Sequence, residues 1–149
     1  MPKPEELVAA LQRFGLERDR MRATLVSVAR ISATDLDALE HLEADGPLTQ
    51  RQLGDRLSLT SGAITMLVDR LEEGGWVQRR AHPSDRRYVL VELSEQAIDR
   101  TPEGLIEYHV GVRRIAATIP EASREIILRF LQDTSLAASL ASKTLRESN

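Results

Sequence analysis

Residues 48–93 read LTQRQLGDRLSLTSGAITMLVDRLEEGGWVQRRAHPSDRRYVLVEL. Thr49 followed three residues later by Gln52 has the pattern of a capping box, in which each side chain satisfies the other's free backbone donor. Leu53 and Leu57 then fall four apart on one helical face. Ser58-Leu59-Thr60 has room only for a turn, and Thr60 is suited to cap a second helix. In that helix Ile64, Leu67, Val68 and Leu71 recur at helical spacing, and Gly74-Gly75 ends it, because glycine enters the left-handed cap conformation without steric cost.

The stretch continues with two runs rich in β-branched and aromatic residues, 76–80 and 87–93, separated by the turn formers Ala81-His82-Pro83-Ser84-Asp85-Arg86. Two short helices, a tight turn and then a hairpin make a winged helix-turn-helix, which sets one helix in a DNA groove with a hairpin beside it. Ser61, Gly62, Ala63 and Thr65 at the start of the second helix are small or polar, as a helix lying deep against base edges requires. The same residue types also serve a plain helix start on a solvated face. Arg79, Arg80, Arg86 and Arg87 are placed near the outer end of the hairpin. Guanidinium suits phosphate through its paired donors, and suits a narrow minor groove through the negative potential there. Asp85 lies two residues before Arg87, so on extended backbone both side chains point the same way and the carboxylate braces one guanidinium.

The phrases LTSGAITMLVDRLEEGGWV and HPSDRRYVLVELS resemble the recognition helix and wing of the MarR family of bacterial transcriptional regulators, including its Asp-x-Arg wing signature at Asp85-Arg86-Arg87. The resemblance is strong over about a third of the chain and holds by pattern in the flanks. It implies that Arg87 enters the minor groove with Asp85 bracing it, and that Ser61, Gly62, Thr65 and Arg70 lie on the DNA-facing side of the recognition helix. It implies a two-fold dimer with interlocked terminal helices, and an effector, often a phenolic or aromatic acid, bound between the dimer helices and the winged domain. Phe14, His41, Tyr108 and His109 are the candidates to line that region, although a packing or surface role is the simpler account of each.

The flanks fit such arms. Leu7, Leu11, Phe14, Met21, Leu25 and Val28 form a helical stripe between about residues 4 and 31. A short helix over residues 35–44 is capped by Ser32 or Thr34. Another begins after Ser94, and Thr101-Pro102 forces a kink or restart. A last helix from about residue 120 to 145 carries more apolar surface than so small a domain covers alone. The expected fold is mainly α with a small β-hairpin wing: one domain over residues 1–149, with a winged-helix core at about 34–93 and helical dimerisation arms at about 1–31 and 94–149.

Composition agrees. The chain has 149 residues and a net charge of −3, which at first opposes DNA binding. Residues 48–90, however, hold seven arginines against five acids, whereas the remainder holds thirteen bases and eighteen acids. The local patch, rather than the sum, governs binding. No run reaches membrane-spanning length and no secretory pattern opens the chain, so a cytoplasmic location without membrane contact is expected. Cysteine is absent, which excludes disulfides, thiol redox sensing and thiolate metal ligands. His41, His82 and His109 lack metal-ligand spacing, and neither a catalytic constellation nor a cofactor motif is present. The function read from the sequence is a homodimeric regulator, a repressor, binding a near-palindrome in double-stranded DNA and released by a small molecule. The alternative is a winged helix used as a protein-interaction module without operator recognition.

Overall fold

The computed structural model describes residues 1–148. Its elements are α1 (Pro4–Ala29), α2 (Ala33–Asp45), β1 (Leu48–Thr49), α3 (Gln50–Leu57), α4 (Ser61–Glu73), β2 (Val77–Ala81), β3 (Val89–Leu93), α5 (Glu95–Arg100), α6 (Glu103–Thr118) and α7 (Glu121–Glu147). The chain is mainly helical, with one small antiparallel sheet in the order β1-β3-β2. It divides into two compact units, Met1–Leu105 and Ile106–Asn149.

Local chemistry explains the helix starts in the first unit. Ser32 caps α2 in a reciprocal box with Asp35, and Thr49 caps α3 in the box with Gln52 that its sequence announces. Ser58, with φ 56°, carries the chain out of α3 in the left-handed region, and Thr60 accepts the Ala63 N–H to begin α4. At the far end of α4 the two glycines divide the work. Gly75 has φ 73°, whereas Gly74 is right-handed and is needed for space: a Cβ there would stand 2.9 Å from Cδ1 of Trp76. The left-handed residue is thus the second glycine, and the first makes room for Trp76 to pack against the core.

That core is assembled from Leu39 and Leu42 of α2, Leu48 of β1, Leu53 of α3, Ile64, Leu67, Val68 and Leu71 of α4, Val77 of β2 and Val91 of β3. Leu53, Val68 and Val91 are wholly excluded from solvent.

The sheet departs from a plain hairpin. Leu48 pairs with Val91 and Thr49 with Leu90, so a third strand joins the start of α3 to the inner strand of the wing. The hairpin strands also differ from the sequence reading: β2 is displaced one residue toward the tip, ending at Ala81, and β3 begins two residues later. β2 starts at Val77 and β3 at Val89, which leaves Arg86, Arg87 and Tyr88 in a turn rather than on extended backbone. At the hairpin base the Ser94 N–H donates to the Trp76 carbonyl. The Ser94 hydroxyl donates to the Gly75 carbonyl at 2.6 Å and accepts from the Ala97 N–H, so one residue closes the hairpin and caps α5. Proline at 102 gives a restart, with α5 ending at Arg100 and α6 beginning at Glu103.

In the second unit α7 runs unbroken from Glu121 to Glu147, two residues beyond the sequence expectation. No residue of α1, α6 or α7 is buried. No helix among the described residues is long and apolar enough to cross a membrane.

Candidate nucleic-acid interface

The apolar periodicity of α4 buries Ile64, Leu67, Val68 and Leu71, so the opposite face, Ser61, Gly62, Thr65, Met66 and Asp69, is exposed. A side chain added at Gly62 would meet nothing within 4 Å, which leaves the backbone there open to close approach. The Thr65 hydroxyl donates to the Ser61 carbonyl at 2.9 Å, which leaves its lone pairs as acceptors on an exposed residue.

Arg70 has a different neighbourhood. Its Nη2 donates to Asp35 Oδ1 at 2.6 Å and its Nε to Oδ2 at 3.3 Å. Asp35 is only 3% exposed and also accepts the Ser32 N–H as half of the α2 capping box. Burial pushes its carboxyl pKa up, but hydrogen bonds from Arg70 and Ser32 outweigh this and hold it below the ordinary carboxylate value. Arg70 thus ties the recognition helix to the start of α2 while its side chain stays about half exposed.

The wing divides its four arginines into two pairs. Arg79 reaches back to α4, where its guanidinium pairs with both Asp69 and Glu72. Arg80 pairs across the strands with Glu92 at 2.9 Å, and Glu92 also accepts from Gln78, so its carboxyl is held below its usual pKa by Gln78 and Arg80. These two cations stand opposite acids. Arg86 and Arg87 lie in the tip.

The tip is built by local hydrogen bonds. His82 Nδ1 accepts the N–H groups of Ser84 and Asp85, and the Tyr88 N–H donates to the Asp85 carbonyl, closing a tight turn around Arg86-Arg87. Within that turn Asp85 Oδ1 accepts both the Arg87 backbone N–H at 3.1 Å and Nε at 3.0 Å, while Oδ2 accepts Nη2 at 2.8 Å. The expected brace therefore exists, but a turn makes it rather than strand alternation. The backbone folds over so that one carboxylate reads both the main chain and the guanidinium fork. Those Arg87 bonds depress the Asp85 pKa. The Arg87 side chain is 83% exposed, held out and aimed by its partner rather than buried by it. Arg86 is exposed and makes no hydrogen bond or ion pair among the described residues.

The effector candidates are distributed over both units. In the first, Phe14 lies half exposed on α1, and His41 on α2 sits with Nδ1 3.8 Å from Asp45. In the second, Tyr108 and His109 are neighbours on α6 with ring centroids 5.6 Å apart. No group of side chains among the described residues is arranged to hold a metal ion.

Sequence reasoning missed Asp35 as the partner of Arg70, the acids facing Arg79 and Arg80, and the exposed Met66. Only Met66 had a readable signal: it is the large apolar residue left over once the buried stripe of its helix is assigned.

A helix pair joined by a short turn, with a three-stranded sheet carrying an arginine-tipped hairpin, defines a winged-helix protein. The model of the MarR family matches residues 31–89. The match to that family is thus carried by the winged-helix segment of the chain. It is 45% identical over 58 residues to the HTH-type transcriptional regulator YcgE of Bacillus subtilis, covering 39% of this chain and 38% of that one. It is 35% identical over 88 residues to the multiple antibiotic resistance protein MarR of Salmonella typhimurium, covering 59% and 56%. The chain thus spans from about two fifths to a little over half the length of these two curated relatives. Among solved structures, a mutant MepR from a multidrug-resistant S. aureus clinical isolate superposes with a TM-score of 0.63 at 18% identity, over 94% of this chain and 99% of that one, and shares the fold.

Proposed function

We propose that the protein is a sequence-specific transcriptional regulator that binds a near-palindromic operator as a homodimer, represses from it, and is released by a small-molecule effector. The observation carrying this reading is the wing tip. A guanidinium held out in solvent by a dedicated carboxylate is a preorganised group for DNA, and a solvated turn needs no such brace.

In this reading Ser61, Gly62 and Thr65 face base edges in the major groove, Arg87 enters the adjacent minor groove and Arg86 meets phosphate. Arg70, Arg79 and Arg80 act from behind: their acidic partners fix the azimuth of α4 and the pitch of the wing. The remaining helices supply the second protomer's seat. Leu7, Val8 and Phe14 of α1, and Ile126, Leu136 and Leu140 of α7, are among many large apolar side chains facing solvent in the single chain. Surface of that kind and extent is covered by a partner. A two-fold dimer would present two recognition helices about 34–36 Å apart, one turn of DNA. The whole chain then functions as one domain with a winged core and helical arms, in the cytoplasm. An effector favouring a spacing that misfits DNA would shift the population by its difference in affinity for the two states.

The test is fluorescence anisotropy of the full chain titrated onto labelled duplex from upstream of its own gene, beside a scrambled duplex, with sedimentation of the free protein. The expected result is a sedimenting dimer that prefers the upstream duplex and loses affinity steeply as salt rises. Equal, weak binding to both duplexes would overturn operator recognition in favour of an interaction module.

A further inference from the structure

We infer that Met66 is a specificity-determining residue that selects thymine through its 5-methyl group, an inference that rests on the operator-binding reading. Met66 is 69% exposed on the outward face of α4, one helical turn beyond Gly62 and next to Thr65. It contributes nothing to the core, whose α4 members are Ile64, Leu67, Val68 and Leu71.

What surrounds it narrows the kind of base contact available. The first half of α4, Ser61 to Met66, contains no Arg, Lys, Asn or Gln, the side chains that read guanine or adenine in pairs of hydrogen bonds. Further along, Arg70 is engaged by Asp35 and Asp69 by Arg79. The Thr65 hydroxyl donates to its own helix, so its proton is not offered to a base. The face offered to a major groove is therefore the Ser61 hydroxyl, the open backbone at Gly62, the exposed Thr65 side chain and the Met66 thioether. Thymine is the base whose groove edge carries an apolar group, and a flexible, polarisable methionine adapts to it.

The experiment selects duplexes from a library with a randomised centre, using the intact wild-type chain, and then replaces each thymine of the selected duplex by deoxyuridine, which removes only the methyl group. At one step in each half-site this replacement weakens wild-type binding about fourfold, the effect of exposing one methyl-sized group. Met66→Ala abolishes that difference at the same step and leaves sensitivity elsewhere intact, while Met66→Leu retains it. Equal thermal midpoints for the three proteins, expected for so exposed a side chain, separate contact from folding. The inference is overturned if wild type is indifferent to deoxyuridine at every step, or if Met66→Ala keeps the wild-type pattern. If no duplex is enriched by the wild-type chain, operator recognition itself fails and the inference falls with it, an outcome distinct from enrichment without methyl dependence.

Discussion

Arg87→Ala lowers affinity for the operator duplex by roughly tenfold to a hundredfold, the span of one well-placed groove contact at about 1–3 kcal/mol. Its thermal midpoint stays where it was, because an 83% exposed guanidinium contributes no packing that the fold depends on. Asp85 supplies the sharper half of the experiment. Removing a carboxylate beside DNA strengthens binding if charge alone matters. If the carboxylate serves to aim Arg87, Asp85→Ala weakens binding even though the protein becomes less negative. Asp85 also accepts the Arg87 backbone N–H, so its loss frees both the guanidinium and the turn that carries it. Titrations of the two variants on one duplex at one salt concentration decide the matter. Tighter binding by Asp85→Ala would reject the brace, and unchanged binding by Arg87→Ala would reject the wing contact.

Arg70→Ala destabilises the fold by about 2 kcal/mol at neutral pH. Breaking a buried ion pair by removing one partner costs about 3–5 kcal/mol. The lower figure applies because Arg70 is half exposed and water partly replaces it at the Asp35 carboxylate. The loss depends on pH with a definite sign. The Asp35 pKa is lower folded than unfolded, so its contribution is complete above the unfolded value near 3.9 and disappears as pH falls through the folded one. Wild type and Arg70→Ala should therefore differ clearly in urea midpoint at pH 7 and converge in acid. A difference that persists unchanged at pH 2.5 would place the effect elsewhere, in packing of the Arg70 stem.

These two results concern features of different visibility in the sequence. The wing pair is legible because Asp85 and Arg87 are two residues apart, which keeps the two side chains within reach of each other. The backbone between them could not be read. Extended geometry was expected, whereas the acceptor at His82 Nδ1 and the Asp85–Tyr88 hydrogen bond bend it into a turn. The Asp35–Arg70 pair joins residues 35 positions apart. The half of it belonging to the α2 cap has a local pattern in Ser32-x-x-Asp35, but nothing local announces the guanidinium. β1 was hidden for the same reason: two residues become a strand only because Val91 and Leu90 lie alongside them. The helices of the first unit were legible because period and caps are written within each segment. Long-range polar pairing is written in none.

The short third strand also bears on how such a protein changes its target over generations. With Leu48 held to Val91, and Arg79 and Arg80 facing Val91 and Leu90 from the other side, the inner wing strand is fastened along both edges. The helix pair and the hairpin stem therefore form a chassis with two replaceable parts: the solvent face of α4, and the tip over residues 82–88. Neither part contributes a side chain to the buried cluster. On the operator-binding reading proposed above, substitutions there that spare Asp69 alter what is read while leaving the buried cluster intact, so new DNA sites are reached by changes at a few surface positions on a fixed frame.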